Sequence, residues 1–235
     1  MSYETTAKLV AEGLGSALLV ATVVGSGIMA EALSAGNLAV ALLGNTIATG
    51  AMLYVLITML GPVSGAHFNP LVSAVFVLRR DLSGRLAAGF VVVQVGGAVA
   101  GTLMAHAMFG QSLWQVSAHL RDGPSQILSE AVATFTLVLT ILGTLRSRPE
   151  AVPVSVALVI VAGYWFTAST SFANPTVTLA RALSDSFAGI APSSVPGFVA
   201  GQVLGAVAAW LVAERVLGWR ASPAEAPSLS GGLEP

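Results

Sequence analysis

Two short segments of the chain nearly repeat each other: Ser64-Gly-Ala-His67-Phe-Asn69-Pro70-Leu71-Val-Ser-Ala74 and Ser169-Thr-Ser171-Phe-Ala-Asn174-Pro175-Thr176-Val177-Thr-Leu179. Each follows a long apolar span and opens a short apolar run. Asn is a favourable helix N-cap, and Pro at the first helical position gives up no hydrogen bond, so both Asn-Pro steps read as helix starts. The run after the first, Leu71 to Leu78, is too short to cross a hydrocarbon core of roughly 30 Å, which takes about 20 helical residues. Two half-helices entering from opposite sides and meeting N-terminus to N-terminus would bring Asn69 and Asn174, with two positive dipole ends, to the midplane. Such a geometry lines a pore. No Ser-His-Asp arrangement, phosphate loop or catalytic carboxylate pair occurs, so no enzyme is expected. His106 and His119 are too scattered for a metal site, and no cofactor is implied.

These residues need a membrane around them. The chain of 235 residues is 55% hydrophobic and only 9% charged, with a mean hydropathy of +0.83, far more apolar surface than one soluble core of this size would bury. A net charge of −1 without a basic block argues against a nucleic-acid partner. The absence of Cys removes disulfides and thiolate chemistry. The first apolar stretch, about Leu9 to Met29, lacks a small-residue cleavage site and reads as a retained span. Six stretches are long enough to cross: about Lys8 to Ile28, Leu38 to Leu60, Arg85 to Phe109, Ile127 to Leu145, Val152 to Ser169 and Gly197 to Leu217. The half-helices follow the second and fifth. The segment 221–235, rich in Pro, Ser and Gly, reads as a disordered tail.

The halves are internally similar. Phe90-Val-Val-Val-Gln94-Val-Gly-Gly97-Ala-Val-Ala100 matches Phe198-Val-Ala-Gly-Gln202-Val-Leu-Gly205-Ala-Val-Ala208, and the first spans align through Glu12 and Glu130. The chain is a duplication within one domain over 1–220, with repeats at about 8–109 and 126–217. Three full spans per half put the second repeat in the membrane upside down. With the N-terminus cytoplasmic, Lys8, Arg79, Arg80, Arg85, Arg146, Arg148, Arg215 and Arg220 gather inside, and Arg121 and Arg181 fall outside. Both termini are therefore expected on the cytoplasmic side of a plasma membrane, a bacterial inner membrane by this reading. The small-residue stripes Gly97, Gly101 and Gly197, Gly201, Gly205 read as helix contacts. Trp114, Trp165, Trp210 and Trp219 read as interface or packing aromatics.

Glu12 and Glu130 lie inside spans, where an ionisable group needs a partner. They could relay protons in a coupled transporter or bond the backbone of the re-entrant loops. Duplication beside loops whose amides need acceptors favours the second reading. Gln94 and Gln202 fit the same scaffold. His67 could line the pore, gate it with pH, or serve as a hydrogen-bonded structural residue.

The inverted repeat of three spans with paired Asn-Pro half-helices, together with the Glu and Gln pairs, resembles the aquaporin family of major intrinsic proteins over roughly Lys8 to Leu217. The resemblance implies an all-α membrane protein of six transmembrane helices and two re-entrant half-helices. It also implies a homotetramer of passive pores in a lipid bilayer, with small neutral solutes as partners. The family's usual third signature residue, Ala, is here Leu71 in one copy and Thr176 in the other, beside the Asn pair. The pore would use the Asn69 and Asn174 amides and carbonyl ladders near Ser64 to His67 and Thr170 to Ala173. The family's filter Arg falls at Val177, and ungapped counting puts the other filter positions at Thr49, Ala162 and Ser171. A one-residue gap would exchange Ala162 for Gly163. A filter of Thr, Ala, Ser and Val should pass neutral solutes larger than water. Glycerol-like polyols, urea and undissociated metalloid hydroxides such as arsenous acid fit, and the Arg-less Asn-Pro-Thr-Val-Thr-Leu-Ala-Arg stretch resembles a bacterial, arsenite-associated subgroup. Arg181, one helical turn beyond Val177, is either a displaced cation at the pore mouth or a partner of Asp185 or lipid headgroups. The competing functions are a proton-coupled transporter using Glu12 and Glu130 and a structural membrane protein with an occluded pore.

Overall fold

A computed structural model describes residues 2–219; the tail expected at 221–235 lies outside the described residues. The described chain is helical, with no strand among those residues. In order it forms α1 (Tyr3–Leu33), α2 (Leu38–Ser64), α3 (Pro70–Leu78), α4 (Gly84–Met108), α5 (Pro124–Ser147), α6 (Val152–Phe166), α7 (Pro175–Arg181) and α8 (Val195–Leu211), the last extended by a π-helical turn, Val212–Val216. Six of these helices, counting their short flanking turns, are long and apolar enough to cross a membrane. The other two, α3 and α7, are the short pieces that follow the Asn-Pro steps. At nine residues, α3 rises only roughly 13 Å.

Local chemistry sets the boundaries. Ser2 caps α1 through the Thr5 N–H, Asn37 caps α2 through Ala39 and Val40, and Ser83 caps α4 through Leu86. Each side-chain oxygen meets an amide that the helix itself leaves unbonded. The cap at Ser2 starts α1 earlier than the apolar run alone suggests. The fifth span stops at Phe166, short of the expected Ser169. Thr170 and Ser171 take positive φ there (61° and 52°), and the Ser169 hydroxyl instead accepts from the Ser171 N–H at 3.2 Å.

The glycine stripes hold the bundle together. A Cβ on Gly97 would sit 2.1 Å from the Gly13 carbonyl oxygen and one on Gly101 2.2 Å from that of Ala17, so α4 lies backbone to backbone on α1. The second half repeats the contact: a Cβ on Gly201 would meet Ile127 O at 2.4 Å and one on Gly205 Ala131 O at 2.1 Å, seating α8 on α5. Close approach of this kind replaces the hydrophobic drive that lipid removes. The two tight pairs flank an interior built from α1, α2, α5, α6 and the two half-helices. Large apolar side chains such as Ile47, Leu158 and Leu204 point outward, as suits a surface facing hydrocarbon.

Candidate functional site

The half-helices meet end to end. The Asn69 side chain caps α3 by accepting from the Leu71 N–H at 2.9 Å, and its amide nitrogen donates to the Ala173 carbonyl at 2.8 Å. Asn174 mirrors it, accepting from Thr176 N at 3.0 Å and donating to the Phe68 carbonyl at 2.7 Å. Each carboxamide thus fastens its own helix and the opposite loop. A primary amide carries two N–H donors, so one on each Asn remains beyond this clasp. Pro70 and Pro175 occupy the first helical positions, where no amide is missed.

The loops before each Asn are held from behind. Glu12 accepts from the N–H groups of His67 (2.9 Å) and Phe68 (2.7 Å), from the Ser64 hydroxyl (2.7 Å) and from the Gln94 amide (2.8 Å). Glu130 repeats this with the N–H groups of Phe172 and Ala173, both 2.9 Å, and with Gln202 at 2.6 Å. Gln94 also reaches the Ser73 hydroxyl, and Gln202 that of Thr178. The anchoring stabilises an unfavourable backbone: Ala66, Phe68, Ser171 and Ala173 all have φ between 48° and 52°, a left-handed conformation that side chains other than Gly resist. Among the described residues, no donor meets the carbonyls of Gly65, Ala66, His67, Ser171 or Phe172. Unpaired carbonyls at membrane depth belong where they can meet water or a solute.

A cavity of about 170 Å³ runs past the Asn pair. One water needs roughly 10–15 Å³ of such volume, so the space holds several. Four helices line it with stripes at helical spacing: Leu19 and Val23 from α1; Thr49, Leu53 and Ile57 from α2; Leu137, Ile141 and Leu145 from α5; Val152, Val156, Ile160 and Tyr164 from α6. Asn69, Asn174, His67, Val72 and Val177 complete the middle, and Ser171 and Arg181 lie to one side of it. No Asp or Glu is among the lining residues.

The structure brings Thr49, His67, Asn69, Ser171, Asn174, Val177 and Arg181 to this cavity and leaves Ala162, Leu71 and Thr176, with the helix-starting Pro70 and Pro175, off its lining. Thr49, Ser171 and Val177 line it, each at most 6% exposed. Ala162 does not. It is exposed on the outer surface of α6, two residues from both Ile160 and Tyr164, and a separation of about 200° on a helix puts it on the opposite face. Gly163 is not a lining residue either; a Cβ there would lie 2.5 Å from the Ser171 hydroxyl, so it backs that side chain. The α6 lining residue nearest in sequence to these two positions is Tyr164, whose hydroxyl stands 3.2 Å from that of Thr49. Leu71 and Thr176 are also away from the cavity, Leu71 against the cluster around Val75 and Val138, and Thr176 buried. One turn of helix explains this, because the residues that turn inward are Val72 and Val177, three beyond each Asn. His67 lines the cavity and is also pinned: its Nδ1 is 3.0 Å from the Ser73 hydroxyl, and its ring packs on Phe76 and Phe90.

Arg181 lines the cavity at the end of α7 and is only 2% exposed. Its Nε donates to the Ala188 carbonyl, and its guanidinium centre lies 3.4 Å from the Phe172 ring centroid. It does not pair with Asp185, whose carboxylate instead accepts from the Ala118 N–H at 2.9 Å. Arg121, from the loop joining α4 to α5, stands behind the same ring at 5.3 Å and bonds the Gly189 and Phe187 carbonyls. Burial draws the Arg121 pKa down to about 10, which leaves it charged at neutral pH. Burial first, then the two arginines, hold His119 in the same loop below its ordinary value. Positive charge on this side of the cavity therefore comes from arginine.

Known proteins share this architecture. A family model described as Major intrinsic protein matches residues 1–161. The chain is 58% identical over 207 residues to aquaglyceroporin AqpS of Rhizobium meliloti (strain 1021), covering 88% of each. It is 34% identical over 180 residues to the probable aquaporin AqpM of Archaeoglobus fulgidus, covering 70% of this chain and 71% of that one. The fold matches the X-ray structure of the aquaglyceroporin from Plasmodium falciparum with a TM-score of 0.68 over 91% of this chain and 97% of that one, at 20% identity.

Proposed function

Since the chain belongs to the major intrinsic protein family, and is a passive multi-pass channel for water and small uncharged solutes and not an enzyme, we propose that solutes cross through the cavity between its half-helices. The observation that carries this is the reciprocal Asn69 and Asn174 clasp, set in a cavity to which both repeats contribute walls. The spare N–H of each amide and the unpaired loop carbonyls replace the hydration of a solute moving in single file. Thr49, Ser171 and Val177 form the selective section, with no cation at the Val177 position, so it passes glycerol-like polyols, urea and undissociated arsenous acid as well as water. The name aquaglyceroporin carried by the 58% identical relative supports that solute class. Arg181 is the fixed positive charge of the mouth.

Glu12 and Glu130 are committed to loop amides and absent from the cavity wall, which favours their scaffold role over proton coupling. We further propose one channel domain over 1–220, four copies assembled in a bacterial inner membrane, and both termini in the cytoplasm. The exposed Arg80, Arg85, Arg146, Arg148 and Arg215 support that orientation.

Flux into proteoliposomes tests the proposal. Uptake of water, glycerol and arsenous acid should be driven by the gradient, non-saturating and of low activation energy. Val177→Arg should keep water flux better than either solute's. Equal losses for all three would remove Val177 from the selective section.

A further inference from the structure

Both half-helices pack against α4 and α8, and neither is long enough to cross a membrane, so each leaves a short outward strip beside its longer neighbours. On α3 the strip is Ala74 and Leu78, one turn apart and both exposed; on α7 it is Leu179, 46% exposed. The residues that close the two strips differ. Arg80, just past the end of α3, Arg85, in the first turn of α4, and Arg215, in the π-helical turn that follows α8, are exposed and have no carboxylate partner among the described residues. The acids of these turns are taken by Arg79, whose Nε donates to Asp81 Oδ2 at 3.0 Å and whose Nη1 donates to Glu214. Arg79 also donates to the Trp219 carbonyl at 2.8 Å. One guanidinium thus ties the turn after α3 to the turn after α8 and brings Arg80 and Arg215 to the same end of the strip. Arg80 holds φ at 67°, a left-handed position that favours Gly, so a cationic side chain is kept where the backbone prefers none. Past α7 the pattern is absent: Arg181 is buried at 2% exposure, and the exposed charge of that turn is Asp185.

We propose that the outward strip of α3 is a binding site for an anionic phospholipid, its headgroup phosphate held by Arg80, Arg85 and Arg215 and its acyl chains lying on Ala74 and Leu78. Charge selects the headgroup. Guanidinium groups bind phosphate through charge-assisted hydrogen bonds, and each arginine near a membrane surface strengthens attraction to anionic lipid by about 5-fold. The apolar neighbours select a lipid over a free phosphate. Leu78, Val216 and Leu217 are 50%, 74% and 44% exposed beside these arginines, and a soluble anion would leave all of them in water, whereas a phospholipid covers them. A general excess of arginine at this end of the molecule accounts for how many charges lie there. It does not account for their gathering around one half-helix while the equivalent strip of the other repeat has none.

The test titrates phosphatidylglycerol or phosphatidylcholine into the full chain in detergent and counts bound lipid by native mass spectrometry. The parent should bind its first phosphatidylglycerol at least about 10-fold more tightly than phosphatidylcholine. The triple variant Arg80→Gln, Arg85→Gln, Arg215→Gln should bring that ratio to within about 2-fold of unity, because the zwitterionic and anionic headgroups then meet the same neutral rim. The double variant Arg146→Gln, Arg148→Gln removes exposed arginines from the turn joining α5 to α6 and should leave the ratio as in the parent. Both are checked for parent-like elution. If the triple does not elute as the parent does, the single variant Arg215→Gln, in an exposed turn, should still lower the ratio by about 5-fold. A parent that binds the two lipids alike overturns the site. So does an equal loss in the Arg146 and Arg148 double, which would mean a diffuse field of charge. Displacement of bound phosphatidylglycerol by glycerol 3-phosphate at equal concentration would assign the arginines to a soluble phosphate ester and overturn the lipid.

Discussion

At the scale of single residues, most of the site consists of polar groups with one permitted arrangement. Glu130 satisfies two buried backbone N–H groups, and an unmet buried donor costs about 1–3 kcal/mol. Glu130→Ala should therefore destabilise the protein by several kcal/mol and lower its unfolding temperature in detergent. Glu130→Gln, which keeps one acceptor oxygen, should lose less. An alanine variant as heat-stable as the parent would show that the carboxylate does not anchor the loop. The paired Asn and Glu residues were legible in the sequence because a buried polar group needs a partner, and its recurrence in the second repeat says where that partner lies. Ala162 was misplaced because counting back from Asn174 crosses the irregular segment at 167–171, where residue number no longer tracks helix face. A better signal was present: Val152, Val156, Ile160 and Tyr164 repeat every fourth residue, the spacing of one helix face.

At the scale of elements, the fold rests on two backbone-to-backbone seams. Gly205→Val would force a Cβ into a gap 2.1 Å from the Ala131 carbonyl oxygen, on the scale of overpacking that costs about 1–3 kcal/mol or more. The expected result is a sharp drop in folded yield on size-exclusion chromatography, whereas Gly96→Val, where nothing lies within 4 Å of the added Cβ, should behave like the parent. Equal yields would mean that α8 does not need to lie on α5 this closely. Spans, half-helices and seams were all visible as patterns, because hydrophobic length and small-residue spacing are properties of the chain alone. The positive φ angles at Ala66, Phe68, Ser171 and Ala173 were not. None of those positions is Gly, and the anchoring that stabilises them comes from helices distant in sequence.

At the scale of the whole molecule, the two repeats aim both half-helix N-termini at one point, and Arg181 adds a full charge on one side. Each helix end is worth about half a positive charge, so positive potential gathers at the centre of the cavity and on its Arg181 side. Arg181→Ala and Arg181→Gln should raise proton and sodium leak in liposomes, because no other charged side chain is among the described residues lining the cavity apart from the titratable His67. A leak unchanged in both variants would assign the barrier to the helix ends alone. The loop carbonyls at Gly65, Ala66, His67, Ser171 and Phe172 have a different consequence. They are main-chain atoms, present whatever amino acid occupies the position, so no codon change can delete them. Inheritable tuning of the cavity is left to the helix side chains that make up the rest of its wall, and substitutions there could retarget the permeant while this main-chain strip stays in place.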